Sequence, residues 1–321
     1  VIGRTTVTLR EKRREEPEPS ACVPELIGHS LAIRRVADVV HKLAPLSAPT
    51  LITGESGTGK DVVARALHRL GGRSGAYVPL NVGASPEALA DAELFGHCRG
   101  AFTGAIATRA GAFELAQHGT LFLDEVAELA ASLQVKLLRI VEDGQLRPVG
   151  ASKATRVSVR VVSATWADLD ARVTEGRFRS DLLHRLSTVV IRLPPLRQRK
   201  CDISCLAVEL LGRHESELGP KRLTSAALAR LVDYAWPGNV RELGSVLYRA
   251  AVASTSESLD AVHIELPKPG VARARAEAPA AVDPLVLLER HAGNVSSAAR
   301  AAGVPRSTFR SWLEKARDAR G

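Results

Sequence analysis

Between Pro24 and about Pro195, short apolar runs alternate with amphipathic stretches. Thr50-Leu51-Ile52-Thr53, Tyr77-Val78-Pro79-Leu80, Thr120-Leu121-Phe122-Leu123 and Val157-Ser158-Val159-Arg160-Val161-Val162 read as strands. After the first of them Val62, Val63, Ala66, Leu67 and Leu70 recur at helical spacing on one face. This alternation predicts an α/β domain with a mostly parallel sheet flanked by helices over residues 24–195. Residues 196–266 keep the helical period and carry little strand signal, so a smaller helical lid subdomain is expected there. The stretch 267–284 is rich in Ala and Pro and reads as a linker, and 285–321 reads as a small all-α domain. At the other end Thr6, Val7, Thr8 and Leu9 alternate ahead of a charged run. Residues 1–23 therefore read either as the last strand and linker of an upstream module or as a loose leader.

Composition narrows the class. A chain of 321 residues predicts two or three domains, and 45% hydrophobic with 25% charged residues excludes wholesale disorder. Lys and Arg exceed Asp and Glu by 44 − 35 = +9, which favours a polyanionic partner. No apolar run approaches the ~20 residues that span a bilayer, and no cleavable leader pattern opens the sequence, so no membrane role is expected. Cys22, Cys98, Cys201 and Cys205 form neither a C-x-x-C pair nor a zinc spacing. A reducing compartment, the cytoplasm, is the expectation. Methionine is absent throughout, which predicts that the natural N-terminus lies upstream.

Two motifs carry chemistry. Gly54-Glu55-Ser56-Gly57-Thr58-Gly59-Lys60 fits the phosphate-loop pattern G-x4-G-K, with an apolar strand before it and a helix after it. Such glycines let backbone N–H groups turn inward around phosphates at a helix N-terminus, and Lys60 adds positive charge toward the β- and γ-phosphates. Asp61 stands where most such loops place a Ser or Thr that binds Mg2+. The run Leu121-Phe122-Leu123-Asp124-Glu125 ends an apolar strand in two carboxylates. Asp124 is expected to hold Mg2+, and Glu125 to orient and activate the attacking water. Together they predict ATP hydrolysis.

Gly100-Ala101-Phe102-Thr103-Gly104-Ala105 is an intact GAFTGA sequence, preceded by Glu93-Leu94-Phe95-Gly96-His97. With the phosphate loop and Trp236-Pro237-Gly238-Asn239-Val240-Arg241-Glu242-Leu243, it resembles the bacterial enhancer-binding proteins, the AAA+ activators of sigma-54 RNA polymerase. The resemblance runs from about Leu26 to the C-terminus. It implies that residues 100–105 project from a ring-shaped ATPase, a hexamer in that family, and touch sigma-54. A second loop of that face is implied near 143–155. Arg179 and Arg185 correspond to arginines that reach a neighbouring subunit's γ-phosphate. Arg241 and Thr165 correspond to nucleotide sensors, and Asn81 to a residue that restrains the catalytic Glu. Asp61 stands where the family usually has Glu. Other departures are Trp166 for Asn in the Ala-Thr-Asn sensor, Ala112 for Arg, Cys98 for Glu and Gln198 for Glu.

Residues 293–309 look like a Fis-type helix-turn-helix. Ala298, Ala299 and Ala302 permit close helix packing, Gly303 makes the turn, and Phe309 and Leu313 face inward. Arg306, Ser307, Thr308, Arg310 and Ser311 then face double-stranded DNA, as upstream enhancer DNA in this resemblance. Nine Arg and Lys against five Asp and Glu over 271–321 give a local +4 that suits phosphate contact. A helical hairpin for dimerisation is the plainer alternative. Three readings follow: a ring ATPase that remodels sigma-54 polymerase, a DNA-binding regulator whose weak ATPase serves only assembly, and an AAA+ remodeller with another client.

Overall fold

The computed structural model describes residues 23–84, 86–101 and 107–267, and toward the C-terminus residues 288, 289, 291, 294–301, 309 and 313. The chain divides into two compact units, Val1–Glu265 and Leu266–Gly321. The first is built on a five-stranded, all-parallel sheet. Its strands are β1 (Thr50–Thr53), β2 (Tyr77–Asn81), β3 (Thr120–Asp124), β6 (Arg160–Thr165) and β7 (Val189–Arg192), in the spatial order β2-β3-β6-β1-β7. A small antiparallel ladder pairs β4 (Gln145–Leu146) with β5 (Thr155–Arg156).

Strand period and burial agree. In β3, Leu121 and Leu123 enter one core and Phe122 the other, and in β6, Val161 and Val162 divide the same way. One core gathers α3 (Glu87–Phe95), α4 (Ala112–Leu115), α5 (Ala131–Asp143) and α7 (Ser180–Leu186). The other gathers α1 (Leu31–Leu43) and α2 (Lys60–Leu70). A parallel sheet covered on both faces needs such near-continuous apolar strands. In α2 the buried apolar set is Val63, Ala64, Ala66 and Leu67, so the helical face is the expected one turned slightly. Helix α6 (Leu169–Thr174) follows β6.

One expected strand is displaced. The alternation over 157–162 suggested a strand there, whereas β6 begins at Arg160 and runs to Thr165. Val157 N–H instead donates to Gly144 O, and Ser158 N–H to the Gln117 side chain. The buried Arg160 guanidinium donates to Ala44 O and Leu43 O at 2.7 and 2.9 Å, capping α1. Burial pulls its pKa down to about 10.

The helical part of the first unit comprises α8 (Ile203–Gly212), α9 (Glu215–Leu218), α10 (Ser225–Asp233) and α11 (Asn239–Ala253). It includes one element the sequence did not suggest, a short parallel pair of β8 (Arg222–Leu223) and β9 (Ser258–Leu259). Buried Asp202, just before α8, accepts the N–H groups of His29 and Ser30 and the Ser30 hydroxyl at 2.6–2.7 Å, tying the start of α1 to this part. In the second unit α12 (Val295–Ala301) is capped by Asn294, whose side chain accepts Ser296 and Ser297 N–H. Ala298, Phe309 and Leu313 are buried there, as the helix-turn-helix pattern expected. Residues 1–22 lie outside the described residues, and so does most of the expected linker.

Candidate active site

The site lies where the carboxyl ends of β1 and β3 meet the lid. Gly54, Gly57 and Gly59 carry φ of 156°, 76° and 101°, backbone that only glycine adopts readily, so the loop 54–59 curls tightly before α2 begins at Lys60. Thr58 Oγ1 donates to Glu55 O at 2.8 Å and braces the curl. Lys60 is 7% exposed, and its Nζ donates to Gly54 O and Glu55 O at 3.0 and 3.3 Å. Its ammonium therefore sits across the mouth of the loop, where a phosphate's negative charge would meet it.

Strand β3 delivers the carboxylates. Asp124 ends the strand, and its Oδ1 accepts the N–H of Glu125, which turns left-handed at φ 57°. A cleft of about 430 Å³ is lined by Ser56, Gly57, Gly59, Lys60, Asp61, Asp124, Glu125 and, from the lid, Arg241, among others. Burial lowers the Lys60 pKa, while Glu125, Asp124 and Asp61 oppose that shift. Burial likewise lifts Glu125 above the usual carboxylate range, the charge of Lys60 pulling it back and Asp124 and Glu128 adding to the rise. Glu125 Oε2 is buried without a hydrogen-bond partner. A buried carboxylate oxygen left open beside an ammonium is what a water-activating base requires. Among the described residues no group of three or more His, Cys, Asp or Glu could hold a metal ion by itself. One or two carboxylates on a cleft that also takes phosphates is the donor set Mg2+ prefers, water and phosphate oxygens completing its shell. Asp124 and Asp61 fit that role.

The lid closes on the loop through three residues the sequence reading did not assign. Arg197 forms two parallel hydrogen bonds to the Glu55 carboxylate at 2.7 and 2.6 Å. Arg199, 3% exposed, donates to Thr58 O at 3.0 Å. Asn239, fully buried, contacts Glu55 and Ser56. Arg241 Nη1 donates to Ser56 Oγ at 3.0 Å. The runs 196–199 and 236–243 held the signal, but each partner lies more than 140 positions away.

Residues 26–192 match the sigma-54 interaction domain family, and 197–278 match the AAA+ ATPase lid domain. The chain belongs to the sigma-54 interaction domain family. Among its relatives, the Nif-specific regulatory protein of Azotobacter vinelandii is 44% identical over 255 residues, 78% of this chain and 49% of that protein. The transcriptional regulatory protein ZraR of Salmonella typhi is 41% identical over 95% of this chain and 72% of its own. The chain thus spans about half the length of the first curated relatives it matches. NtrX from Brucella abortus, solved in complex with ATP, superposes with a TM-score of 0.70 at 30% identity, covering 91% of this chain and 69% of that one.

Other positions marked by the sigma-54 resemblance are distributed as follows. Arg179 and Arg185 do not line the cleft. Arg179 is paired bidentately with Asp181 at 3.1 and 2.7 Å, and Arg185 with Glu142 at 2.8 Å, both on exposed surface. Asn81 sits beside Asp124 in register. Its side chain, however, accepts Gly83 N–H at 3.0 Å, which makes it a strand-end cap rather than a partner of Glu125 in this state. Thr165 is fully buried and its hydroxyl accepts Ala167 N–H, so it does not line the cleft either. After the charge of Lys60, the neighbouring main-chain N–H of Trp166 adds a smaller pull toward the ionised form of Glu125. Gly54, Glu55 and Thr58 build the loop without lining the cleft.

The segment bearing the GAFTGA sequence has a closed base. His97 and Arg109 exchange backbone hydrogen bonds at 3.0 and 2.9 Å, and Cys98 N–H donates to Val149 O. Gly150, at φ 80°, turns so close to Ala101 that a Cβ there would stand 2.8 Å from the Ala101 Cβ. The turn between β4 and β5 therefore packs on the root of the 100–105 segment, joining the two loops the resemblance paired. Gly100 and Ala101 are described, whereas Phe102, Thr103, Gly104 and Ala105 lie outside the described residues. Arg306, Ser307, Thr308, Arg310 and Ser311 also lie outside them.

Proposed function

We propose that this chain is a sigma-54-dependent transcription activator that hydrolyses ATP as a ring oligomer, a hexamer, and uses the energy to remodel sigma-54 RNA polymerase at promoters. The observation that carries this reading is the single cleft shared by Lys60, Asp61, Asp124, Glu125 and the lid's Arg241. In it the 54–60 loop and Lys60 bind the triphosphate, and Arg241 reports nucleotide state through the lid. Glu125, raised in pKa by burial, takes a proton from water at the γ-phosphate. Asp124 and Asp61 hold Mg2+, which neutralises phosphate charge when bound. Arg179 and Arg185 of one subunit serve the cleft of the next, which agrees with their exposure outside their own cleft. Asn81 exchanges Gly83 for Glu125 at another step of the cycle.

Phe102 and Thr103, at the tip of the segment rooted on His97, Arg109 and Gly150, grip sigma-54. Residues 285–321 hold the chain on upstream enhancer DNA through Arg306, Ser307, Thr308, Arg310 and Ser311. The protein works in the cytoplasm, and no helix among the described residues is long and apolar enough to cross a membrane. The test is ATP turnover against protein concentration together with promoter opening. Turnover is expected to rise steeply with concentration, and Thr103→Ala to spare turnover while preventing opening. Nucleotide binding without turnover at any concentration would favour the regulator whose ATPase serves only assembly. Normal opening by Thr103→Ala would point to another client.

A further inference from the structure

Among the groups that join the lid to the phosphate loop is one buried amide, that of Asn239. Asn239 Oδ1 accepts Leu196 N–H at 2.7 Å, and its Nδ2 donates to Ser56 O at 3.0 Å and Glu55 Oε2 at 3.1 Å. The side chain thus links three segments distant in sequence: the loop, the entry to the lid at Leu196, and the first turn of α11. Backbone contact reinforces the link. Val240 N–H donates to Gly57 O at 2.9 Å, and a Cβ on Gly57 would come within 2.3 Å of Gly238 O. Glu55, which receives one of the amide's bonds, is also held by both guanidinium nitrogens of Arg197.

Asn239 adopts φ 53°, a left-handed conformation that glycine takes without strain and Asn takes more readily than other side chains. Backbone need alone would therefore be met at least as well by Gly. The amide supplies two donors and an acceptor at a fully buried point where the loop offers two acceptors and Leu196 one donor. We propose that Asn239 is a positioning residue for nucleotide binding: its side-chain amide fixes the curvature of the phosphate loop relative to the lid, so that the loop amides, Lys60 and Arg241 face one phosphate chain together. This rests on the ATPase reading of the cleft and names what sets its geometry.

Because the amide shapes the loop whether substrate or transition state is bound, its loss is read in affinity more than in the chemical step. The experiment uses the full chain and compares Asn239→Gly with wild type for fluorescent ADP binding, for KM and kcat of ATP hydrolysis, and for thermal unfolding. The expected result is affinity weakened and KM raised by about tenfold or more, the cost of leaving Ser56 O without its donor and the buried Leu196 N–H without its acceptor, with kcat changed far less. Affinity and KM within about twofold of wild type would overturn the proposal. So would a lowered melting temperature with unchanged affinity, the signature of a purely structural residue. If Asn239→Gly gives no folded protein, Asn239→Asp decides, since it keeps the acceptor for Leu196 but sets a carboxylate against Glu55. It is expected to weaken ADP binding at least as much, and unchanged binding would overturn the proposal. Lys60→Ala run alongside separates the two levels. If it binds and hydrolyses ATP normally, the ATPase reading fails, whereas a dead Lys60→Ala with a normal Asn239→Gly sinks only the role of the amide.

Discussion

Five arginines around the sheet fall into two groups whose difference lies in what they hold. Arg197, Arg199 and Arg241 bond to the phosphate loop of their own chain, through the Glu55 carboxylate, the Thr58 carbonyl and the Ser56 hydroxyl. The side chains of Arg179 and Arg185 bond instead to surface carboxylates, Asp181 and Glu142, away from that cleft. Exposure alone does not separate them, because the side chains of Arg197 and Arg179 are 44% and 47% exposed. The partner does. Glu55 is pinned by a buried Asn as well, so Arg197 joins a fixed network. Asp181 lies two residues from Arg179 on exposed surface, where water screens an ion pair and its partners exchange readily. An arginine of the first kind shapes its own site, and on the function proposed above one of the second kind serves a neighbour's.

The largest effect that could break this division is Arg179→Ala. Turnover is expected to fall about a thousandfold, as loss of a trans-acting guanidinium does, while ADP affinity stays within about twofold. An equal loss of affinity, measured by equilibrium binding, would place Arg179 with the cis group. Next comes Glu125→Gln, expected to reduce kcat by at least about a hundredfold and to leave binding intact. Burial raises the Glu125 pKa, so the folded chain binds that proton more tightly than the unfolded chain does. Ionised Glu125 therefore costs stability at neutral pH. Glu125→Gln should raise the melting temperature at pH 7, and the gain should vanish as pH falls through the raised pKa. The acid limb of the wild-type rate profile should have its midpoint above 4.5, the ordinary value for a Glu carboxyl. Smallest of all, Asp181→Asn should leave the melting temperature nearly unchanged and alter turnover by less than about threefold, checked by thermal unfolding and steady-state rates. A large drop in ADP affinity there would mean the pair belongs to the cleft after all.

The same contrast explains which parts of the molecule were legible in the sequence. The phosphate loop and the Asp124-Glu125 strand end are contiguous, each with its strand and helix beside it, so residue order alone exposed them. Phe309 and Leu313 showed their inward face because helical spacing requires it. The joint of Asn239, Arg197 and Arg199 was not legible, since its meaning depends on partners 141–184 positions away. The start of β6 was misjudged because Val157 and Val159 follow the strand alternation and pack on the core, while the ladder itself begins at Arg160. Asn81 and Thr165 end β2 and β6, and in this state their side chains bond to neighbours in the chain rather than reaching the cleft.

The most direct test of catalysis shared between subunits mixes two inactive variants. Glu125→Gln supplies an intact Arg179, and Arg179→Ala supplies a cleft with an intact Glu125. Turnover is predicted to reappear when they are combined, with a maximum at intermediate ratios and a rise with total concentration. If both variants bind ATP and their mixtures stay inactive at every ratio and concentration, each chain's cleft does not depend on its neighbour's arginine, and the division drawn between the two groups is contradicted.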